Sequence, residues 1–207
     1  MRKVLLPLVA LAAGPAHAQG TEIAPGIELP EGATLEVRAD GDLNGDGVED
    51  IAYVAHSEDW RALTVLLSDG NAADPRYRPE VLPLEPTEFT PAKLALNGNV
   101  LSLEDMTGGT TAIVSTRRFR YDARGRQMRL IGLDATRYSR TYAHDGFEMS
   151  WNLLNGDART RVLRLDPEGG GAAYKPAIER SFKRRTRALW LTSSPDQETV
   201  LEEMRDG

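Results

Sequence analysis

Apolar and polar residues alternate at short period along most of the chain, and turn-forming residues interrupt them about every ten positions. This pattern predicts strands at 34–38, 50–55 and 62–68, then 93–96, 100–103, 110–121 and 127–133. Further strands are expected at 136–143, 147–154, 159–165, 173–180 and 188–192. Ile51-Ala52-Tyr53-Val54-Ala55 departs from strict alternation, since it is apolar, β-branched and aromatic throughout. That composition marks a buried strand fed by the turn before it. Asn97-Gly98 between two apolar runs suits a type I′ turn and is the strongest hairpin signal in the chain. Asp122-Ala123-Arg124-Gly125, Asp145-Gly146, Asn155-Gly156 and Glu168-Gly169-Gly170-Gly171 separate the later strands.

Two stretches break the rhythm. Residues 69–91 carry five prolines preceded by Asp74, Arg78, Leu82, Glu85 and Thr90, which exclude a central strand or a long helix and leave a rigid loop with edge segments. A soft boundary within one β-rich domain, residues 19–207, falls there. Near the C-terminus, Ser194 is a good N-cap, Pro195 suits the first helical position and Gln197 stands where a capping-box partner belongs. A short helix carrying Val200, Leu201 and Met204 on its apolar side should follow. Residues 19–33, rich in Gly, Pro and Glu, read as an extended lead-in. The fold expected is mostly antiparallel β, a meander or a two-sheet structure with a short C-terminal helix.

One turn carries chemistry. Asp42-Leu43-Asn44-Gly45-Asp46-Gly47-Val48-Glu49-Asp50 places oxygen-bearing side chains at alternate positions, then again four residues on. A hard cation such as Ca²⁺ takes six to eight oxygens, and this spacing converges them as the backbone curls. Gly47 supplies the sharp turn, and Val48 can offer its carbonyl. Tyr53 stands at the twelfth position, where an EF-hand needs a glutamate, and a strand follows rather than a helix. The motif D-x-N-x-D-G-x-x-D running into a hydrophobic strand, from Gly41 to Ala55, resembles the calcium loop of FG-GAP and VCBS repeats. The resemblance implies Ca²⁺ held by Asp42, Asn44, Asp46 and Asp50. Read without an ion, the same stretch is an acidic, glycine-rich surface turn. The loop occurs once; Asn152-Leu153-Leu154-Asn155-Gly156-Asp157 lacks the acidic spacing. One such loop in a chain of this length excludes the full β-propeller that usually houses these repeats. Gly108-Gly109-Thr110, Arg118-Phe119-Arg120-Tyr121, Leu130-Ile131-Gly132 and Ser150 to Gly156 are similar to a set in exported proteobacterial proteins that carry a single loop of this kind and have no assigned activity.

Composition adds location. Met1-Arg2-Lys3, an apolar run from Val4 to Ala13 and Ala16-His17-Ala18 form a secretory signal pattern with cleavage expected after Ala18. The apolar run is too short to remain in a bilayer. Without cysteine there is no disulfide framework and no lipid attachment of the bacterial lipoprotein kind. The expected destination is the periplasm, with secretion as the alternative, and no membrane insertion after cleavage. The signal removes two of the 25 basic and none of the 31 acidic residues, leaving a net charge of −8. That balance disfavours nucleic acid as a partner.

Other chemistry is sparse. His56 and His144 are the only histidines after the signal, and no zinc or serine-hydrolase spacing occurs. The basic run Arg180, Lys183, Arg184, Arg185 and Arg187 reads either as an anion-binding face or as a charged edge strand that resists pairing. Trp151 and Trp190 read as core or sheet-face anchors, and Trp60 as an exposed aromatic at a turn. These features point to an exported calcium-binding β domain, more a binding module than an enzyme, whose partner is a protein or glycan of the cell envelope. The rivals are a periplasmic hydrolase acting on a glycan or cell-wall substrate, which predicts a carboxylate-lined cleft near Trp60 or Trp151, and an inhibitor or immunity protein.

Overall fold

The computed structural model describes residues 21–86, 90–166 and 174–206. The signal pattern at 1–18 and the Gly169-Gly170-Gly171 turn lie outside them. The chain is mostly β, in three antiparallel sheets with one short C-terminal helix, and the described residues form neither a closed barrel nor a propeller.

A short ribbon comes first, β1 (Glu22–Ala24) with β2 (Ile27–Glu28), where the sequence suggested only an extended lead-in. Four strands then pair in chain order: β3 (Thr34–Gly41), β4 (Asp50–His56), β5 (Arg61–Ser68) and β6 (Tyr77–Leu84). The continuous apolar run of β4 is explained by burial on both sides. Ala52 and Val54 enter the main core, whereas Ile51, Tyr53 and Ala55 pack with Ile23, Ala24 and Leu29 under the β1–β2 ribbon. The prolines of β6 are tolerated because it is an edge strand. Pro79 and Pro83 stand opposite Leu66 and Ala62, an even number of residues apart, so both ring nitrogens face away from β5.

Seven further strands form an antiparallel meander: β7 (Lys93–Asn97), β8 (Val100–Gly108), β9 (Thr111–Asp122), β10 (Gln127–Ser139), β11 (Gly146–Asn152), β12 (Asp157–Leu165) and β13 (Tyr174–Lys183). The inner faces of both large sheets share one core, with Leu63, Val65 and Leu82 from the first and Leu101, Phe119, Leu130 and Met149 from the second. Glu80, 3% exposed, ties the edge strand β6 across the interior by accepting from the Met128 N–H at 3.0 Å.

Three expectations are corrected. The strands expected at 127–133 and 136–143 are one, β10: Asp134 and Thr136 lie on its solvent side, where Asp134 pairs with Arg118 at 2.6 Å. The strand expected at 188–192 is a single bridge, Trp190 opposite Arg129, followed by a 3₁₀ turn over Leu191–Ser193. Asp196, not Ser194, caps helix α1 (Gln197–Asp206), its carboxylate accepting from the Thr199 N–H at 2.9 Å. Pro195 thus precedes the helix, and Gln197 turns inward. Val200, Leu201 and Met204 seat α1 on the core.

Candidate metal centre

The loop hangs between the paired ends of β3 and β4, where Gly41 stands opposite Asp50. Two residues anchor it from below. Leu43 is 1% exposed and belongs to the main core. Asp50 is fully buried, and its Oδ2 accepts from the N–H groups of Leu43 at 2.7 Å and Asn44 at 3.0 Å. Its Oδ1 accepts from the Ser68 N–H at 2.7 Å. Above them the other acidic side chains fold the loop on itself. Asp42 accepts from Gly45 N–H at 2.7 Å, Asp46 N–H at 3.2 Å and Gly47 N–H at 2.9 Å. Asn44 Oδ1 accepts from Asp46 N–H, and Asp46 Oδ1 from Val48 N–H, both at 2.8 Å. Gly45 and Gly47 have φ of +82° and +83°, which other residues adopt only at a cost.

The structure brings Asn44, Asp46 and Asp50 together around one atom. Asn44 Nδ2 donates to Asp46 Oδ2 at 2.8 Å and to the Ser68 carbonyl at 3.1 Å, and lies 3.4 Å from Asp50 Oδ1. Asp42 is engaged with loop N–H groups instead, and of Val48 only the N–H takes part in these contacts. Ser68, at the end of β5, was missed in the sequence; its hydroxyl also donates to Asp46 at 2.9 Å. The hairpin that pairs Ile51 with Leu66 was the available signal, because it carries residue 68 to the base of the loop.

Electrostatics differ between the two inner carboxylates. Burial pushes the Asp50 carboxyl above its ordinary value, against the pull of the Ser68, Leu43 and Asn44 N–H groups. Burial acts the same way on Asp46, but the Val48 N–H, the Asn44 amide and the Ser68 hydroxyl outweigh it and hold Asp46 below the usual range. The donor set fits a hard cation in kind, being carboxylate, amide and carbonyl oxygen. Among the described residues, no three histidine or acidic side chains stand grouped closely enough to hold an ion together. Asp50 fits least well, since backbone N–H groups engage both of its oxygens.

The remaining candidates fall elsewhere. A buried ionic cluster joins the sheets: Arg61 contacts Glu36 through two bonds of 2.7 Å and Asp105 at 2.9 Å. A cavity of about 540 Å³ lies between β6, β8, β9 and the start of α1, lined by Glu85, Asp105, Arg117, Asp196 and Glu198 among others. Neither Trp60 nor Trp151 borders it. Trp60 is half-buried against the smaller core, which corrects its reading as an exposed aromatic. Trp151 is 3% exposed, donates its indole N–H to the Arg184 carbonyl at 2.9 Å and lies under the Arg184 guanidinium. His144 bonds to Thr111 Oγ1 at 2.8 Å beside its turn. The basic residues 180 and 183 lie on β13, which is the sheet edge.

Comparison of the chain with protein-family models, with curated proteins and with solved structures gave no match in any of the three.

Proposed function

We propose that this is an exported calcium-binding β domain in which the ion has a structural role and the remaining surface binds a protein or glycan of the cell envelope. The observation that carries this reading is the convergence on Asn44: oxygens of Asp46, Asp50 and Ser68 surround its amide nitrogen, and Asp42 completes an acidic loop above the buried strand β4. Asp42, Asn44, Asp46 and Asp50 would hold Ca²⁺ through side-chain oxygens, with the Val48 carbonyl as a fifth donor. The ion would neutralise the carboxylates of Asp42, Asp46 and Asp50, whose repulsion is otherwise offset by backbone N–H groups, the Asn44 amide and the Ser68 hydroxyl. Extracellular modules bind Ca²⁺ with dissociation constants of about 10⁻⁴–10⁻³ M, and that weak range is expected here.

Calorimetric titration of the chelator-stripped mature protein tests the reading. One Ca²⁺ per chain, with Mg²⁺ bound much more weakly, is the expected result. Neither heat nor a thermal shift on adding Ca²⁺ would reduce the motif to a surface turn closed by its own hydrogen bonds.

A further inference from the structure

The cavity beside α1 holds buried hydrogen-bond donors that the described residues leave unmatched. Arg117 lies on the inner face of β9 between Ser115 and Phe119 and is only 4% exposed. One nitrogen, Nη2, donates to the Gln197 side-chain oxygen. Its Nε and Nη1 find no acceptor among the described residues, and neither does the hydroxyl of Ser194 on the same cavity wall. Asp105 and Asp196 attract the guanidinium across space but accept no hydrogen bond from it. Asp105 is committed to Arg61 and Asp196 to the cap of α1. Buried donors without acceptors are rare in folded proteins, because each forfeits its hydration with nothing in return.

A carboxylate is the natural complement, since a planar guanidinium presents paired N–H groups to two oxygens at once. The mouth of the cavity argues against a simple anion. Glu85 and Glu198 are exposed there with Asp196, so a purely negative ligand meets repulsion before it reaches Arg117. A ligand bearing both signs meets attraction at both ends. The volume falls within the roughly 300–1,000 Å³ typical of small-molecule sites.

We propose that this cavity binds a small zwitterion of the amino-acid type, its carboxylate on Arg117 and Ser194 and its ammonium among Glu85, Asp196 and Glu198. The site is independent of the acidic loop. Leu84 pairs with Arg61 at one end of the β5–β6 ladder and Tyr77 with Ser68 at the other, a separation of about 23 Å at strand rise.

The test is NMR titration of the full mature chain with each standard amino acid in turn, reading the Arg117 Nε–H and the Gln197 side-chain amide. Each amino acid that binds is then compared with the acid lacking its amino group and with the amine lacking its carboxylate. At least one amino acid should shift both signals saturably, and each half-molecule should bind about tenfold more weakly or worse. Arg117→Lys should weaken the amino acid by roughly tenfold, because an ammonium cannot reproduce the fork. If that variant does not fold, Ser194→Ala and Glu198→Gln carry the same test, and each should weaken binding by about twofold or more. Failure of every amino acid to move the two signals overturns the proposal. Equal affinity for the acid without its amino group, or for the amine alone, overturns it as well.

Discussion

Arg61 and Asp105 meet at 2.9 Å in the interior, one from β5 and the other from β8, and this contact joins the two large sheets. Glu36 on β3 grips the same guanidinium from the other side, so three strands converge on one charge. Their side chains are at most 3% exposed. Two carboxylates share a single guanidinium here, and removing it would strand both in low dielectric. Arg61→Met is therefore expected to cost about 3–5 kcal/mol in urea denaturation. Asp105→Asn, which keeps a hydrogen-bonding oxygen near Arg61, should cost less, about 1–3 kcal/mol. An Arg61→Met protein as stable as the parent would show that the cluster does not hold the sheets together.

Acid should act through Glu36. Burial raises its carboxyl, but the Arg61 hydrogen bond and the Ala92 N–H outweigh that and leave it below the ordinary carboxylate range. A carboxylate whose folded value is depressed contributes stability that is present above its unfolded value and lost as pH falls through the folded one. Asp50 works in the opposite sense, since its raised value means that the folded chain holds that proton more tightly than the unfolded chain. Glu36→Gln should thus be less stable than the parent at neutral pH and lose stability less steeply between about pH 5 and pH 3. Parallel stability–pH curves for the two proteins would show that Glu36 is not the group responsible.

Much of this architecture was visible in the alternation of residues, because most strands bury one face and period two reports that directly. The failures have local causes. β10 looked broken at Asp134 because a polar residue on its solvent side resembles a turn when its ion pair with Arg118 is unknown. The stretch around Trp190 has strand-like residues but only one bridge to Arg129, so propensity found no ladder to join. The loop was legible as a motif, whereas Ser68 was not, since its role comes from hairpin register rather than local sequence. Arg117 was legible in principle. In Ser115-Thr116-Arg117-Arg118-Phe119 it shares the phase of Ser115 and Phe119, both buried. Its charge hid what the period stated.

Glycines at two turns should respond differently to alanine. Gly108 has φ of +87°, and an added Cβ would sit 2.3 Å from the Thr111 carbonyl oxygen in the β8–β9 turn. Strain and collision act together there, and Gly108→Ala should cost about 2–4 kcal/mol. Gly98 has φ of +57° in the β7–β8 turn and open space around its Cα. Only the conformational penalty applies, and Gly98→Ala should cost about 1 kcal/mol. Thermal denaturation of both variants checks the ranking. A Gly98 variant at least as damaged as the Gly108 variant would mean that the β8–β9 turn is not packed as described.

The two inner carboxylates of the loop should separate structure from ion binding. Asp50 accepts three backbone N–H groups on two oxygens, from Leu43, Asn44 and Ser68. Asparagine would present an NH₂ to at least one of those donors, so Asp50→Asn should destabilise the protein by about 2–3 kcal/mol even with chelator present. Asp46 is exposed and bonded mainly within the loop, so Asp46→Ala should cost only about 1 kcal/mol without metal. With Ca²⁺ both variants should fall further behind the parent. At roughly ten times the dissociation constant a bound ion stabilises the parent by about 1.4 kcal/mol, worth about 4 °C in melting temperature for a chain of this size. Asp46→Ala should lose that rise. An Asp46→Ala protein whose melting temperature climbs with Ca²⁺ as the parent's does would remove Asp46 from the ligand set and the proposed centre with it.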